Sequence, residues 1–319
     1  MSGSFAKIDY QLRPAKAVER KMMAEIFSRL AVFAPLSEYR YVGMGSVYFS
    51  DFALFHSVCG FGDMVSIEGT EDTRIKRRCA FNAPFGVVDL HFEKTTTAFL
   101  KIDWTKRSVI WLDYDDPLSQ DMLSDLAYLA SRVTSGSVIS LSFNAARGQV
   151  RTSEQLVEKL RESVGPDKIP DDATLEDHVD QRRYSRVLRS VVSAEFNRAI
   201  GNRNADGPPE EKISSQQIFF YTYDDDTPML TVGWLLTTPT DEGKAKLSRI
   251  PEVLHASSGV RPFEIVIPKL TPAEMRAISR CDATDKYEKE RSLPLLKEEI
   301  AKFKKIERYW PMARFLELG

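Results

Sequence analysis

The chain is short of cysteine, histidine and long apolar runs. Its three cysteines, Cys59, Cys79 and Cys281, are widely spaced in 319 residues and none belongs to a C-x-x-C pair. They cannot all pair, which excludes a disulfide scaffold and points to buried free thiols in a reducing compartment. The four histidines, His56, His91, His178 and His255, show neither H-x-H nor H-E-x-x-H spacing, so zinc has no motif here. His91 stands inside an apolar segment and reads as a core histidine. A G-x-S-x-G elbow and a phosphate loop ending in Gly-Lys-Ser/Thr are both missing, which removes motif support for a serine hydrolase or a P-loop enzyme. No apolar stretch approaches the ~18 residues of a membrane helix, and no charged-then-apolar signal opens the chain, so a cytoplasmic protein without a membrane role is expected. The net charge of −2 and pI near 6.2 supply no global pull toward nucleic acid or anionic lipid. A local basic patch stays open, as does oligomerisation.

What is present is a rhythm of apolar runs and amphipathic stretches. Residues 1–10 read as a loose leader. Arg13-Pro-Ala-Lys16 leads into a helix over roughly 15–33, with Val18, Met22, Ile26, Leu30 and Phe33 on one face and Pro14 in its first turn. Lys16 and Arg20 lie four apart, and two readings stay open for them: pairing with Glu19, Glu25 or solvent, or a basic pair that meets an anionic ligand or substrate together with Arg13. Strands are expected at about 39–43, 64–67, 87–92, 109–113 and 137–143. Helices between them are expected at about 50–59, 70–81 and 119–133, the first capped by Ser50-Asp51 and the second carrying Arg74, Lys76, Arg77 and Arg78. Strands alternating with helices mean right-handed crossovers and a parallel sheet, with ligands bound at its carboxyl edge.

Residues 147–213 break the rhythm with charged helices at 152–164 and 175–200. On the second, Arg182, Arg183, Arg186 and Arg189 mark either a solvated face or a substrate contact. Apolar runs at 217–223 and 229–236, joined by Asp-Asp-Asp-Thr-Pro228, form an antiparallel hairpin. A helix at 241–254, a short strand at 263–267, a helix capped by Thr271, a charged helix at 286–307 and an aromatic tail with Tyr309, Trp310 and Phe315 finish the chain. The expected division is 1–146 for a cofactor-binding half, 147–213 for a helical insertion, 214–238 for the hairpin and 239–319 for a C-terminal α/β extension.

Three places on the carboxyl edge carry chemistry. Tyr41-Val-Gly43-Met-Gly45-Ser46 is a strand ending in a turn whose glycines admit a sharp bend and a close ligand. The helix behind it aims its N-terminal N–H groups at the same point. Glu68 ends the second strand, 23 residues beyond Gly45, where a carboxylate can accept from two diol hydroxyls. Asp113, Asp115 and Asp116 crowd the end of the fourth strand around Tyr114. Such crowding raises one carboxyl's pKa toward a general base or calls for a divalent cation, with Asn144 as a further oxygen ligand; the plainer reading has two of the three facing water. Tyr114 either stacks on a planar substrate or packs.

In element order and in these matches, the sequence resembles the class I S-adenosylmethionine-dependent methyltransferases over roughly 17–146 and 216–237. With its basic segment Arg13–Arg20 it is also similar to a group of bacterial methyltransferases. The resemblance implies an α/β, Rossmann-like methyltransferase fold: a mostly parallel seven-stranded sheet with a terminal antiparallel hairpin, plus a helical insertion and a C-terminal extension. It implies S-adenosylmethionine as cofactor, with Gly43, Gly45 and Ser46 beside its methionine moiety, Glu68 on its ribose, and Asp113 facing the methyl group and the substrate. Asp113, Asp115 and Tyr114 are the implied catalytic residues, and no metal ligands are assigned. The acidic residue that usually precedes the first glycine is replaced by Tyr41-Val42. Methyl transfer to an oxygen or nitrogen acceptor is thus expected; a catalytically silent binding protein and a nicotinamide-dependent oxidoreductase are the competing readings.

Overall fold

The computed structural model of the chain describes residues 13–169, 171, 178–281 and 293–310. The expected leader, the beginning of the 286–307 helix and Phe315 lie outside the described residues. Helix α1 spans Pro14–Ser28 and runs on as a 3-10 turn, Arg29–Val32. Strand β1 (Arg40–Gly43) leads to α2 (Ser50–Cys59), β2 (Asp63–Ile67) to α3 (Thr73–Asn82), and β3 (Val88–His91) to a single turn, α4 (Thr95–Ala98). Then come β4 (Ser108–Pro117), α5 (Gln120–Arg132), β5 (Val138–Asn144), α6 (Ser153–Val164) and α7 (Gln181–Arg203). The hairpin strands are β6 (Ser214–Asp224) and β7 (Pro228–Thr237), followed by α8 (Glu242–Leu247), β8 (Phe263–Ile265), α9 (Pro272–Ser279) and α10 (Lys297–Ile306).

Local chemistry sets most of these boundaries. Ser119, Thr152, Asp180 and Thr271 each accept a backbone N–H of the first turn of the helix they precede, satisfying donors that have no intrahelical partner. Two expectations shift. The helix foreseen at 241–254 stops at Leu247, because Arg249 adopts φ 53° and Pro251 lacks an N–H to continue it. α2 has no side-chain cap at all: Phe49 precedes it in the left-handed region, so Ser50 and Asp51 already lie inside its first turn.

The sheet order is β3-β2-β1-β4-β5-β7-β6-β8, with every neighbouring pair parallel except those involving β7. This is the expected Rossmann-like sheet with its antiparallel hairpin, and it holds eight strands rather than seven, because β8 adds to the edge of β6. The strand order reverses between β1 and β4, so the carboxyl ends of those two strands flank the crevice where such sheets take ligands. Helices cover both faces. α5, α6 and α7 close one core with Leu112, Leu141 and Trp234 of the sheet. α1 and α2 close the other with Tyr41, Trp111 and Tyr221. No described helix is long and apolar enough to cross a membrane.

Candidate active site at the carboxyl edge

α1 is buried on more than its apolar stripe. Besides Val18, Met22 and Ile26, it buries Lys16, Glu19 and Arg20 on a second face turned to the carboxyl edge. Its N-terminus is held by the hairpin turn: the backbone N–H groups of Ala15 and Lys16 donate to Asp225 at 2.9 and 3.0 Å, and the Arg13 guanidinium lies 3.9 Å from the same carboxylate. Lys16 is 1% exposed and donates to Asp113 of β4. Its ammonium also stands 3.3 Å from Glu19 and 4.5 Å above the Trp111 ring. Desolvating an ammonium is costly unless opposite charge and an aromatic face replace the lost water, and both are supplied here, by Asp113 and Glu19 and by Trp111. Glu19 accepts from Thr231 of β7, and burial, opposed by Lys16, raises its carboxyl pKa above the ordinary value.

The glycine turn is built differently from the expectation. Neither glycine has a positive φ; the left-handed residues are Ser46 (φ 52°) and Phe49 (φ 48°). A Cβ on Gly43 would sit 2.6 Å from the Tyr41 hydroxyl, and one on Gly45 would sit 2.5 Å from the Phe49 ring. The glycines therefore make room for the protein's own aromatics. Tyr41, in the place of the usual acidic residue, donates at 2.5 Å to Asp51 in the first turn of α2. Burial raises the Asp51 carboxyl pKa, with Arg20 as the opposing charge. A carboxylate thus does reach the turn, delivered by the helix rather than by the strand.

Glu68 folds back onto the turn. Its Oε1 accepts from the Ser46 N–H at 2.8 Å and from the Ser66 hydroxyl at 2.9 Å, while the Gly45 N–H donates to Ser66 at 3.1 Å. Burial pushes the Glu68 pKa up to about 7. The Arg20 Nε is buried without a hydrogen-bond partner among the described residues.

Of the sequence-predicted residues, Gly43, Gly45, Ser46, Glu68, Asp113, Lys16 and Arg20 all come to this edge, and Arg13 reaches it farther out, at the hairpin turn beside the end of β5. The acidic cluster disperses. β4 runs through Pro117, but its pairing with β5 is irregular between Asp113 and Pro117; Asp113 turns under α1 while Asp115 and Asp116 are exposed. No group of three His, Cys, Asp or Glu side chains among the described residues could hold a metal ion. Tyr114 packs against the α5 side, its hydroxyl donating to Asp125 at 2.6 Å. His91 is not a core residue: it is half-buried on the edge strand β3, 3.0 Å from Asp89 and 3.3 Å from Glu93. Cys281 is half-buried, unlike Cys59 and Cys79. The arginines of α7 scatter: Arg182 pairs with Glu264, Arg183 is buried, Arg189 donates to Gln217 and Arg186 is exposed. Sequence reasoning missed Asp51, Asp225 and Thr231 as members of this cluster. The Asp-Asp-Asp turn was the one visible signal, as a caps-rich loop facing a helix that lacks its own cap.

Solved structures resemble the fold at low identity. Trm1 from Pyrococcus horikoshii, solved with S-adenosyl-L-methionine, is 12% identical over 92% of this chain and 76% of its own, at a TM-score of 0.46. The O-methyltransferase from Bacillus cereus, in complex with SAH, is 14% identical over 72% and 85%, at 0.38. TomG, the O-methyltransferase from Streptomyces achromogenes solved with SAM, is 13% identical over 73% and 93%, at 0.36. No curated protein matches the chain. The assignment rests instead on a family model that matches residues 8–317, nearly the whole sequence: the chain belongs to the family described as "Putative O-methyltransferase".

Proposed function

We propose that the protein transfers a methyl group from S-adenosylmethionine to an oxygen of an acceptor bound over Asp113, at the crevice between β1 and β4. The observation that carries this reading is the gathering of Glu68, Asp51, Arg20, Lys16 and Asp113 around the glycine turn at the point where the strand order reverses. When bound, the cofactor supplies an electrophilic methyl on a sulfonium that becomes a neutral thioether as the methyl leaves.

The residues present suit that ligand. Glu68 spends Oε1 on Ser46 and Ser66, which leaves Oε2 for the ribose hydroxyls. The orphaned Arg20 Nε suits the carboxylate of an amino-acid moiety, and Asp51 beside it suits the ammonium. Asp113 lies on the acceptor side, where it orients the acceptor hydroxyl and takes its proton. Lys16 fixes that carboxylate and limits its rotation. Tyr114 keeps its hydroxyl on Asp125 and serves as a wall. Arg13 braces α1 through Asp225.

The test combines binding with turnover. Titration calorimetry with S-adenosylmethionine, its demethylated product and NAD should give heat for the first two only. Asp113→Asn should retain cofactor binding and lose transfer of labelled methyl groups to a cell extract. Heat from NAD alone, or undiminished transfer by Asp113→Asn, would sink the reading.

A further inference from the structure

Helix α3 carries a stripe that neither the core nor the proposed site uses. Arg74, Arg77, Arg78 and Phe81 follow i, i+3, i+4, i+7 spacing and so share one face. All four are exposed, and Phe81 is exposed to 89%. Four residues on, Phe85 is 56% exposed and stacks on the His56 ring with centroids 4.3 Å apart. Arg74 pairs with Asp72, but Arg77 and Arg78 form no ion pair among the described residues. Residues 71–85 hold four basic and two acidic side chains, a local +2 in a chain whose net charge is −2. The stripe also borders the site. Cys79 of the same helix donates to the Ser46 carbonyl at 3.6 Å, and Asn82 donates to the Val47 carbonyl at 2.9 Å.

We propose that this α3 surface, from Arg74 to the stacked Phe85–His56 pair, is a docking surface for single-stranded nucleic acid at the rim of the carboxyl-edge site. Charge complementarity selects the occupant. Guanidiniums with no carboxylate to answer them attract phosphates, and exposed aromatic faces stack unpaired bases, whose π-surfaces a duplex hides. An acidic protein partner would also meet the arginines, but a single strand brings a phosphate and a stackable base with every nucleotide, matching the arginine and aromatic positions together. The surface concerns binding alone and stands independently of the methyl-transfer reading.

The experiment is fluorescence anisotropy with the full chain and labelled single-stranded RNA, single-stranded DNA and duplex DNA of one length, at low and moderate salt. Both or either single strand should bind more tightly than the duplex. Arg77→Ala/Arg78→Ala should weaken binding about tenfold or more at low salt and reduce the salt slope by about 1.4. Phe81→Ala should weaken it on the order of tenfold with the slope unchanged. Thermal melts and S-adenosylmethionine calorimetry of these variants should match wild type, which separates a failure here from a failure of the proposed activity. The proposal is overturned if neither single strand binds at low salt, if the double arginine variant binds as wild type does, or if polyglutamate competes as well as oligonucleotide and Phe81→Ala has no effect.

Discussion

Helices α1 and α3 both carry clustered basic residues, and the fold treats them in opposite ways. In α1, Lys16 and Arg20 are buried and faced by Asp113, Glu19 and Asp51. In α3, Arg77 and Arg78 point to solvent with no described carboxylate against them. A buried charge must be matched where it lies, so the α1 residues became part of the site's framework. A solvated charge is free to meet a partner from outside. The same residue types therefore mean different things, and what separates them is burial.

The comparison breaks most visibly at Lys16. Replacing it by Met leaves the buried Glu19 and the half-buried Asp113 without their cation, and should cost about 3–5 kcal/mol of unfolding free energy by denaturant titration. Asp113→Asn in the same chain should restore part of that loss, the coupling being read from a double-mutant cycle. A loss below about 1 kcal/mol would mean that the pair is not a framework element.

Glu68 gives the next effect, and it depends on pH. Its carboxyl titrates near 7 in the folded chain against an ordinary 4.5. Between those values the folded state holds a proton that the unfolded state has released. Its contribution is therefore complete below 4.5 and is lost as pH rises through about 7, to a total of at most about 3 kcal/mol. Glu68→Gln should flatten that part of the stability profile; an unchanged slope would contradict the burial argument.

At the turn, Gly45→Ala should cost about 1–3 kcal/mol, because the added methyl meets the Phe49 ring. Trimming that ring with Phe49→Leu in the same chain should recover some of the loss. If a ligand's approach alone required the glycine, stability would hold while cofactor affinity fell. The smallest effect belongs to α3: Arg77→Ala/Arg78→Ala should change stability by less than about 0.5 kcal/mol in the same titration.

Much of the fold was legible because its signals are local. Periodicity, caps and the hairpin turn place α2, α5, β5 and the β6–β7 pair within a residue or a few of their observed bounds. Thr271 and Pro14 act as their neighbours in sequence imply. The carboxyl-edge set Gly43, Gly45, Glu68 and Asp113 was legible for the same reason, since each lies at or near the end of an apolar run. What stayed hidden depends on distant contacts. Asp225 caps α1 from 210 residues away, and Thr231 reaches Glu19 across 212. No spacing rule links such residues. The second buried face of α1 was masked by its charges: their spacing allowed the observed Lys16–Glu19 pair but gave no sign that the sheet edge covers it. The acidic run misled because β4 continues beyond Asp113 with an irregular register against β5, which leaves Asp113 under α1 and Asp115 and Asp116 in solvent instead of gathered in one loop.

The central claim is that the polar cluster between β1 and β4 is a cofactor site. Calorimetric titration of the full chain with S-adenosylmethionine, in wild type and Glu68→Gln, tests it most directly. Saturable binding near one site per chain, weakened about tenfold or more by Glu68→Gln through loss of a charged hydrogen-bond acceptor, is the expected result. Absence of heat in the wild type, or equal affinity in the two proteins, would contradict it.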